Sequence, residues 1–233
     1  SLKDEESGGS FLLTKYIENP HLLNGRKYDF RIYVLITSIH PLSIYVYKQG
    51  LVRIASDKYT LNVNKLSNRY IHLTNTVVNK NNDEYIFNES INSEKGNKWS
   101  LHAYKNYCKR NKIDFDLIFE KIKDRVIKTI LSIEIGLSEK VNSNNYFDGN
   151  YHNLFGFDLI LDDKLNVYLL EVNDGPSLSL YDNMDKDIKT KLMADTFNLI
   201  GIVPFAHDET QKPLYDIYEY TDKIEEAVDN ALC

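Results

Sequence analysis

Polar and apolar residues alternate from Lys27 to Ile36 (KYDFRIYVLI) with the two-residue period of a strand. That period predicts Lys27, Asp29 and Arg31 on one face and Tyr28, Phe30 and Ile32 on the other. Asn24-Gly25 just before it is a hairpin turn signal. His40-Pro41 predicts a turn into a strand from Leu42 to Tyr47. Gln49-Gly50 predicts another turn before Leu51 to Ala55, which carries Arg53, so the region reads as an antiparallel meander. Upstream, residues 1–10 read as a polar loop and Phe11 to Ile17 as a strand ended by Glu18-Asn19-Pro20.

Beyond Lys80 the period changes. Residues 81–97 are rich in Asn, Glu and Ser and predict an excursion without a core of its own. Ser100 is positioned to cap a helix through Lys109, with Leu101, Tyr104 and Cys108 on one side. Asp114 or Asp116 opens a longer helix, in which Phe115, Ile118, Phe119, Ile122, Val126, Ile130 and Ile133 form a core stripe and Gly136 supplies the stop. Residues 138–150 read as a polar loop. Leu154 to Leu161 and Asn166 to Val172 are strand-like around the turn cluster Asp162, Asp163, Lys164. An amphipathic helix from Asp185 to Ile200 closes at Gly201, and Thr221 to Leu232 predicts a short terminal helix.

With 233 residues, 42% of them hydrophobic, the chain can bury one large core. Neither a membrane span nor a signal peptide is expected. Two cysteines, Cys108 and Cys233, are too few for a disulfide framework or a zinc site, so a reducing cytoplasmic setting is the expectation. The polar start SLKDEESGGS, without methionine, points to a piece of a longer chain. The net charge of −6 hides an asymmetry: Lys15 to Lys80 holds ten Lys or Arg against three acids, a balance of +7, which leaves −13 for the rest. A basic front half favours polyanionic ligands such as nucleotide phosphates or an acidic peptide.

The acidic hairpin carries the strongest chemical signal. Asp158 interrupts its first strand, while Glu171 and Asn173 sit two apart on the second and so share a face. Across a hairpin, neighbours and diagonals lie within roughly 8 Å. Two carboxylates and an amide oxygen are hard ligands of the kind Mg²⁺ accepts. Any one of these acids alone could equally cap a turn or meet a lysine. In NRYIHLTNTVVNK, Thr74 and Asn75 beside Arg69 and Lys80 are either holders of phosphate oxygens or a polar turn capped by its own side chains.

The blocks KYIENPHLLNGRKYDFRIYVLITS, GLVRIAS, NRYIHLTNTVVNK, GNKWS, EKIKDRVIKTI and LFGFDLILDDKLNVYLLEVNDGPSL, in this order and spacing, resemble the tubulin tyrosine ligase-like family of the ATP-grasp superfamily. With the closing FNLIGIVP, they look most like its glutamate-adding branch. The resemblance covers residues 11–204 and implies an α+β, ATP-grasp-like fold, mostly antiparallel sheet with packed helices. It implies that the N-terminal part of that fold lies before residue 1 and that residues 205–233 form a helical extension. By family likeness, backbone groups of Lys15, Tyr16 and Ile17 face adenine, and Lys27 and Asp29 contact the nucleotide. Arg31 and Arg53 face the γ-phosphate and the reacting carboxylate, Thr74 and Asn75 lie on the phosphate side, and Asp158, Glu171 and Asn173 hold Mg²⁺.

The implied reaction is ATP-dependent addition of free glutamate to glutamate side chains of tubulin, or of another protein with an acidic tail, by way of an acyl phosphate. Glycine or tyrosine addition is the alternative within the family, and a non-catalytic tubulin-binding module the alternative outside catalysis. Nucleic acid and membranes are not expected partners. The expected place is the cytoplasmic microtubule cytoskeleton, including the base of a cilium or flagellum.

Overall fold

The computed structural model describes residues 13–88, 90–143 and 151–202. Its centre is a six-stranded sheet made of β1 (Leu22–Leu23), β2 (Arg26–Ile39), β3 (Leu42–Ile54), β4 (Lys98–Ser100), β5 (Asn153–Leu161) and β6 (Val167–Asp174), in the order β4-β3-β2-β5-β6 with β1 beside β2. Every pairing is antiparallel. The helices are α1 (Arg69–His72), α2 (Thr76–Asn79), α3 (Leu101–Arg110), α4 (Phe115–Leu131), α5 (Glu134–Ser143) and α6 (Asn183–Leu199). The class is α+β, as the motifs imply.

The alternation read along β2 divides the sheet into two faces. Tyr28, Phe30, Ile32, Val34 and Ile36 are all but fully buried on one of them, with Val52 and Ile54 from β3 and Phe157 and Leu159 from β5. Helices α3 and α4 cover this face. Ser100 caps α3 by accepting from the Ala103 amide at 2.9 Å, and Leu101, Tyr104 and Cys108 then follow at helical spacing into the core. Asp114 caps α4, and Ile118, Ile122, Val126 and Ile130, four residues apart, form its buried stripe. Each such side chain contributes about 1.5–3 kcal/mol by leaving water. On the opposite face, Met184, Ile188 and Leu192 of α6 pack against Tyr33 and Leu51. The remainder of that face carries the charges.

The hairpin turn at Asn24-Gly25 forms as predicted, with φ of 50° and 76°, the two positive angles a two-residue loop of this hand requires. Gln49-Gly50, by contrast, is not a turn: β3 runs unbroken from Leu42 to Ile54, and the irregularity is a bulge opposite Ile32 to Val34. Glycine is needed there because a Cβ at position 50 would lie 2.5 Å from the Arg31 carbonyl oxygen. Gly136 does not stop a helix either. Helix α4 ends at Leu131 with Ser132 as its C-cap, and α5 runs through Gly136 to Ser143, a glycine inside a helix costing only about 1 kcal/mol.

Residues 13–17 form no strand, since extended chain becomes strand only where a neighbouring edge takes its hydrogen bonds. The polar loop expected over residues 138–150 is helix α5 as far as Ser143, and the rest of that expectation, with those for residues 1–12 and for the tail beyond 202, lies outside the described residues. Among the described residues no helix is long and apolar enough to cross a membrane.

Candidate functional site

The charged end of the second face is assembled by strand register. Asp29 on β2 stands opposite Arg53 on β3, Arg31 on β2 stands opposite Asp158 on β5, and Asp158 stands opposite Glu171 on β6. The alternation that buries Tyr28 and Phe30 therefore turns Asp29 and Arg31 together toward the other side.

Four of these groups form one ionic network. Arg31 donates from Nε to Asp158 Oδ1 at 2.5 Å and from Nη2 to Oδ2 at 3.0 Å, a two-pronged contact. Arg53 grips Asp29 in the same manner, with Nε to Oδ1 at 2.9 Å and Nη2 to Oδ2. Its Nη2 also lies 2.7 Å from Asp158 Oδ2, joining the two pairs. Asp29, Arg53 and Asp158 are 1%, 9% and 3% exposed, so charges taken out of water are compensated by one another. Burial opposes ionisation of Asp158 and is the largest single influence on it, but the Arg31 hydrogen bond and the Arg53 charge together outweigh it. The Asp158 carboxyl is therefore held below the usual carboxylate range. Burial likewise works against the Arg53 charge, and the neighbouring Asp29 and Asp158 reverse it, leaving the guanidinium firmly protonated.

Glu171 and Asn173 extend this network toward solvent. Asn173 donates from Nδ2 to Glu171 Oε1 at 3.0 Å, and its amide oxygen makes no hydrogen bond among the described residues. Glu171 is exposed and Asn173 half-buried, in contrast to Asp158. Carboxylates gathered on one hairpin need positive charge to offset them. The two arginines already supply it for Asp158. A cation held by Glu171, the Asn173 oxygen and a remaining lone pair of Asp158 fits the donor chemistry of hard oxygens. Among the described residues no three His, Cys, Asp or Glu converge on a common point, so there such a cation would draw on the amide oxygen as well as on carboxylates.

A second group surrounds Lys27. Its Nζ donates to the His72 carbonyl at 2.9 Å and to the Tyr16 hydroxyl at 3.2 Å, and lies 4.5 Å from the centre of the Tyr16 ring. Burial lowers the affinity of Lys27 for its proton, an effect that nearby Asp29 partly offsets. Lys15, Tyr16 and Ile17 thus run past Lys27 and α1, and their backbone groups make no hydrogen bond among the described residues. Thr74 is buried, and Asn75 caps α2 by accepting from the Val77 amide at 2.8 Å, so the self-capped turn is the form this segment takes. Asn79 anchors it, accepting from the Ser56 amide and hydroxyl beyond β3 and donating to the Leu73 carbonyl.

Two contributors carry no mark in the sequence. Gly156 faces Arg31 and Pro176: a Cβ there would lie 2.8 Å from Pro176 Cβ and 3.1 Å from Arg31 Cδ, so only glycine lets the arginine lie flat on β5. Lys98, inside GNKWS, is buried opposite Arg53 and bound to Asp182 and Asp185. No local signal marks either residue, because both are defined by partners distant in sequence. A cavity of about 380 Å³ between β2, β3 and α6, lined by Tyr33, Leu35, Tyr47 and Leu192 among others, contains none of the candidate site residues.

An antiparallel sheet thus carries arginines and carboxylates interlocked on one face, with α3 and α4 packed on the other. Residues 1–211 match the tubulin-tyrosine ligase family, and the chain belongs to it. It is 44% identical to tubulin monoglutamylase TTLL4 of Mus musculus over 82% of its own length and 16% of that protein. It is 40% identical to tubulin polyglutamylase ttll-5 of Caenorhabditis elegans, over 85% of the chain and 28% of the relative. With tubulin polyglutamylase TTLL5 of Homo sapiens the identity is 35%, over 90% of the chain and 17% of the relative. The chain therefore spans between about a sixth and just over a quarter of the length of these relatives.

Proposed function

We propose that this chain carries the metal and arginine side of an ATP-dependent ligase that adds glutamate to glutamate side chains of tubulin tails. The observation that supports this most is the interlocked row Asp29, Arg53, Asp158, Arg31, open at Glu171 and Asn173, in a member of the tubulin-tyrosine ligase family whose relatives are named tubulin glutamylases. A carboxylate is a poor acyl donor. Transfer of the γ-phosphoryl of ATP to the acceptor carboxylate gives an acyl phosphate and releases ADP. The amine of free glutamate then attacks the acyl carbon, phosphate leaves, and the nitrogen sheds a proton to become an isopeptide amide. Such chemistry needs positioning and charge neutralisation more than covalent help.

The residues divide this work. Arg31 and Arg53, fixed by buried carboxylates, present guanidinium edges whose remaining donors stabilise charge developing on the transferred phosphoryl. Asp29 and Lys27 hold the nucleotide end of the row, with Lys15, Tyr16 and Ile17 offering to a base backbone groups that make no hydrogen bond among the described residues. Thr74 and Asn75 lie on the phosphate side, where the Asn75 amide nitrogen would be the donor, since its oxygen caps α2. Glu171, Asn173 and Asp158 would hold Mg²⁺, which when bound supplies positive charge to phosphate oxygens. The setting in this reading is the microtubule cytoskeleton, including ciliary or flagellar bases.

The experiment is ligation by the full-length protein with ATP, Mg²⁺, tubulin and each labelled amino acid, compared with Glu171→Gln. Glutamate incorporation is expected for the wild type, with loss of at least about a hundredfold in the variant. Because Glu171 is exposed, the variant should unfold at the wild-type denaturant midpoint. Normal turnover by Glu171→Gln would remove the hairpin from the mechanism, and incorporation of glycine or tyrosine instead would reassign the donor.

A further inference from the structure

We propose that Asn79 is a positioning residue that fixes Thr74 and Asn75 in place relative to Arg53, by tying the one-turn helix α2 to the end of β3. Asn79 is 0% exposed and its partner Ser56, just past the end of β3, is 1% exposed. The Asn79 amide oxygen accepts from the Ser56 amide at 2.8 Å and from the Ser56 hydroxyl at 2.9 Å. Its nitrogen donates to the Leu73 carbonyl at 2.8 Å and to the Asn75 carbonyl at 3.0 Å. Two lone pairs and two N–H groups are the whole capacity of a side-chain amide, so all of it is engaged at this junction.

The carbonyls that Asn79 takes stand on either side of Thr74. With Lys27 Nζ on the His72 carbonyl at 2.9 Å, the backbone around Thr74 is held from both directions. The Thr74 hydroxyl and the Asn75 amide nitrogen, by contrast, make no hydrogen bond among the described residues. Helix α2 cannot supply this order alone. It has four residues, against the roughly 12–15 that a helix needs to persist in water by itself, and its cap comes from Asn75, one of the residues to be placed. The other end of the tie is firm. The Ala55 amide donates to the Lys27 carbonyl at 2.9 Å, and the buried Asn97 donates from Nδ2 to the Ile54 and Ala55 carbonyls, each at 3.3 Å. Asn79 is thus the part through which the strand bearing Arg53 and the turn bearing Thr74 keep a common frame. Only the catalytic consequence rests on the ligase reading above, in which Arg53 and Thr74 both serve the phosphate.

Asn79→Ala and Ser56→Ala in the full-length protein decide it, the second removing a single bond of the junction so that a folded variant is in hand. In Asn79→Ala, amide exchange at residues 77–80 should rise about tenfold or more, with rates in β2 and β3 kept within a factor of about two of wild type. Its kcat for glutamate ligation should fall about tenfold while the KM for the acceptor holds, and Ser56→Ala should shift both readings in the same direction by about threefold. Thr74→Ala separates positioning from mere stability. It should lower kcat about tenfold in the wild-type background but less than about twofold in the Asn79→Ala background, because a residue that acts through Thr74 has nothing left to place once that hydroxyl is gone. Losses that multiply would overturn the positioning role. So would unchanged exchange in α2, an equal rise throughout the sheet, or a loosened α2 with unaltered kcat. If α2 loosens but the wild-type protein ligates nothing, the tie stands and the functional reading is what fails.

Discussion

Replacing Arg53 by Met tests whether the ionic network is structural scaffolding or a screened surface feature. The guanidinium is 9% exposed and is shared by two carboxylates, Asp29 at 1% and Asp158 at 3%. Asp158 keeps Arg31, whereas Asp29 loses the two-pronged contact that Arg53 supplied. Removing one partner of a buried pair costs about 3–5 kcal/mol, because the other charge stays behind uncompensated. An exposed pair would cost about 0–1 kcal/mol. Urea denaturation followed by far-ultraviolet circular dichroism on this chain distinguishes the two.

The pH dependence has a defined sign. Asp158 in the wild type is held below its unfolded value of about 3.9, so its contribution is fully present above that pH and is lost as pH falls through the lower folded value. The wild type sheds this stability in acid, and the gap to Arg53→Met should narrow from pH 7 to below pH 4. Arg53→Lys keeps the charge but lacks the fork that reaches Asp29 and Asp158 at once, and should fall between the two. A loss under about 1 kcal/mol, or a gap constant across pH, would show that solvent already screens the network.

Two other substitutions probe neighbouring features. Gly156→Ala places a methyl 2.8 Å from Pro176 Cβ and 3.1 Å from Arg31 Cδ; it should cost about 1–3 kcal/mol in urea titrations and lower kcat through displaced Arg31. Arg26 and Arg69 lie outside the ionic network, so reversing either charge should raise the KM for an acidic acceptor more than for ATP. That acceptor KM should also rise between 0.01 and 0.15 M salt, as the screening length falls from about 30 to about 8 Å. An acceptor KM indifferent to both would make the basic front half a solvated face.

What could be read from the sequence was whatever is decided locally. The face of β2, the caps Ser100 and Asp114, the stripe from Ile118 to Ile130 and the acidic hairpin follow from periods and from residues a few positions apart. Gly50 misled because a glycine that breaks a strand and one that admits a neighbouring carbonyl look alike until Arg31 is placed beside it. The site divided in the same way. Asp29, Arg31, Arg53 and Asp158 each stand out in the sequence, but that Arg31 and Arg53 both reach Asp158 depends on β5 pairing with β2, which no local pattern encodes. Lys98 and Asp185 stayed silent for that reason, being 87 positions apart.

The distance along the chain between Arg31 and Asp158, 127 residues, also bears on how the protein reaches its folded state. Strands β2 and β3 are joined by a tight turn and can pair early, since closing a short loop costs little entropy. In that hairpin Arg31 and Arg53 sit on the same side of adjacent strands with Asp29 as the only acid among them. The cationic excess is relieved only when β5 docks on the other edge of β2 and delivers Asp158. Late arrival of a distant strand is the slow step in sheets of this kind. Until then the molecule carries an open strand edge and an unbalanced charge, so a nascent chain stalled before residue 151 holds both arginines and no site.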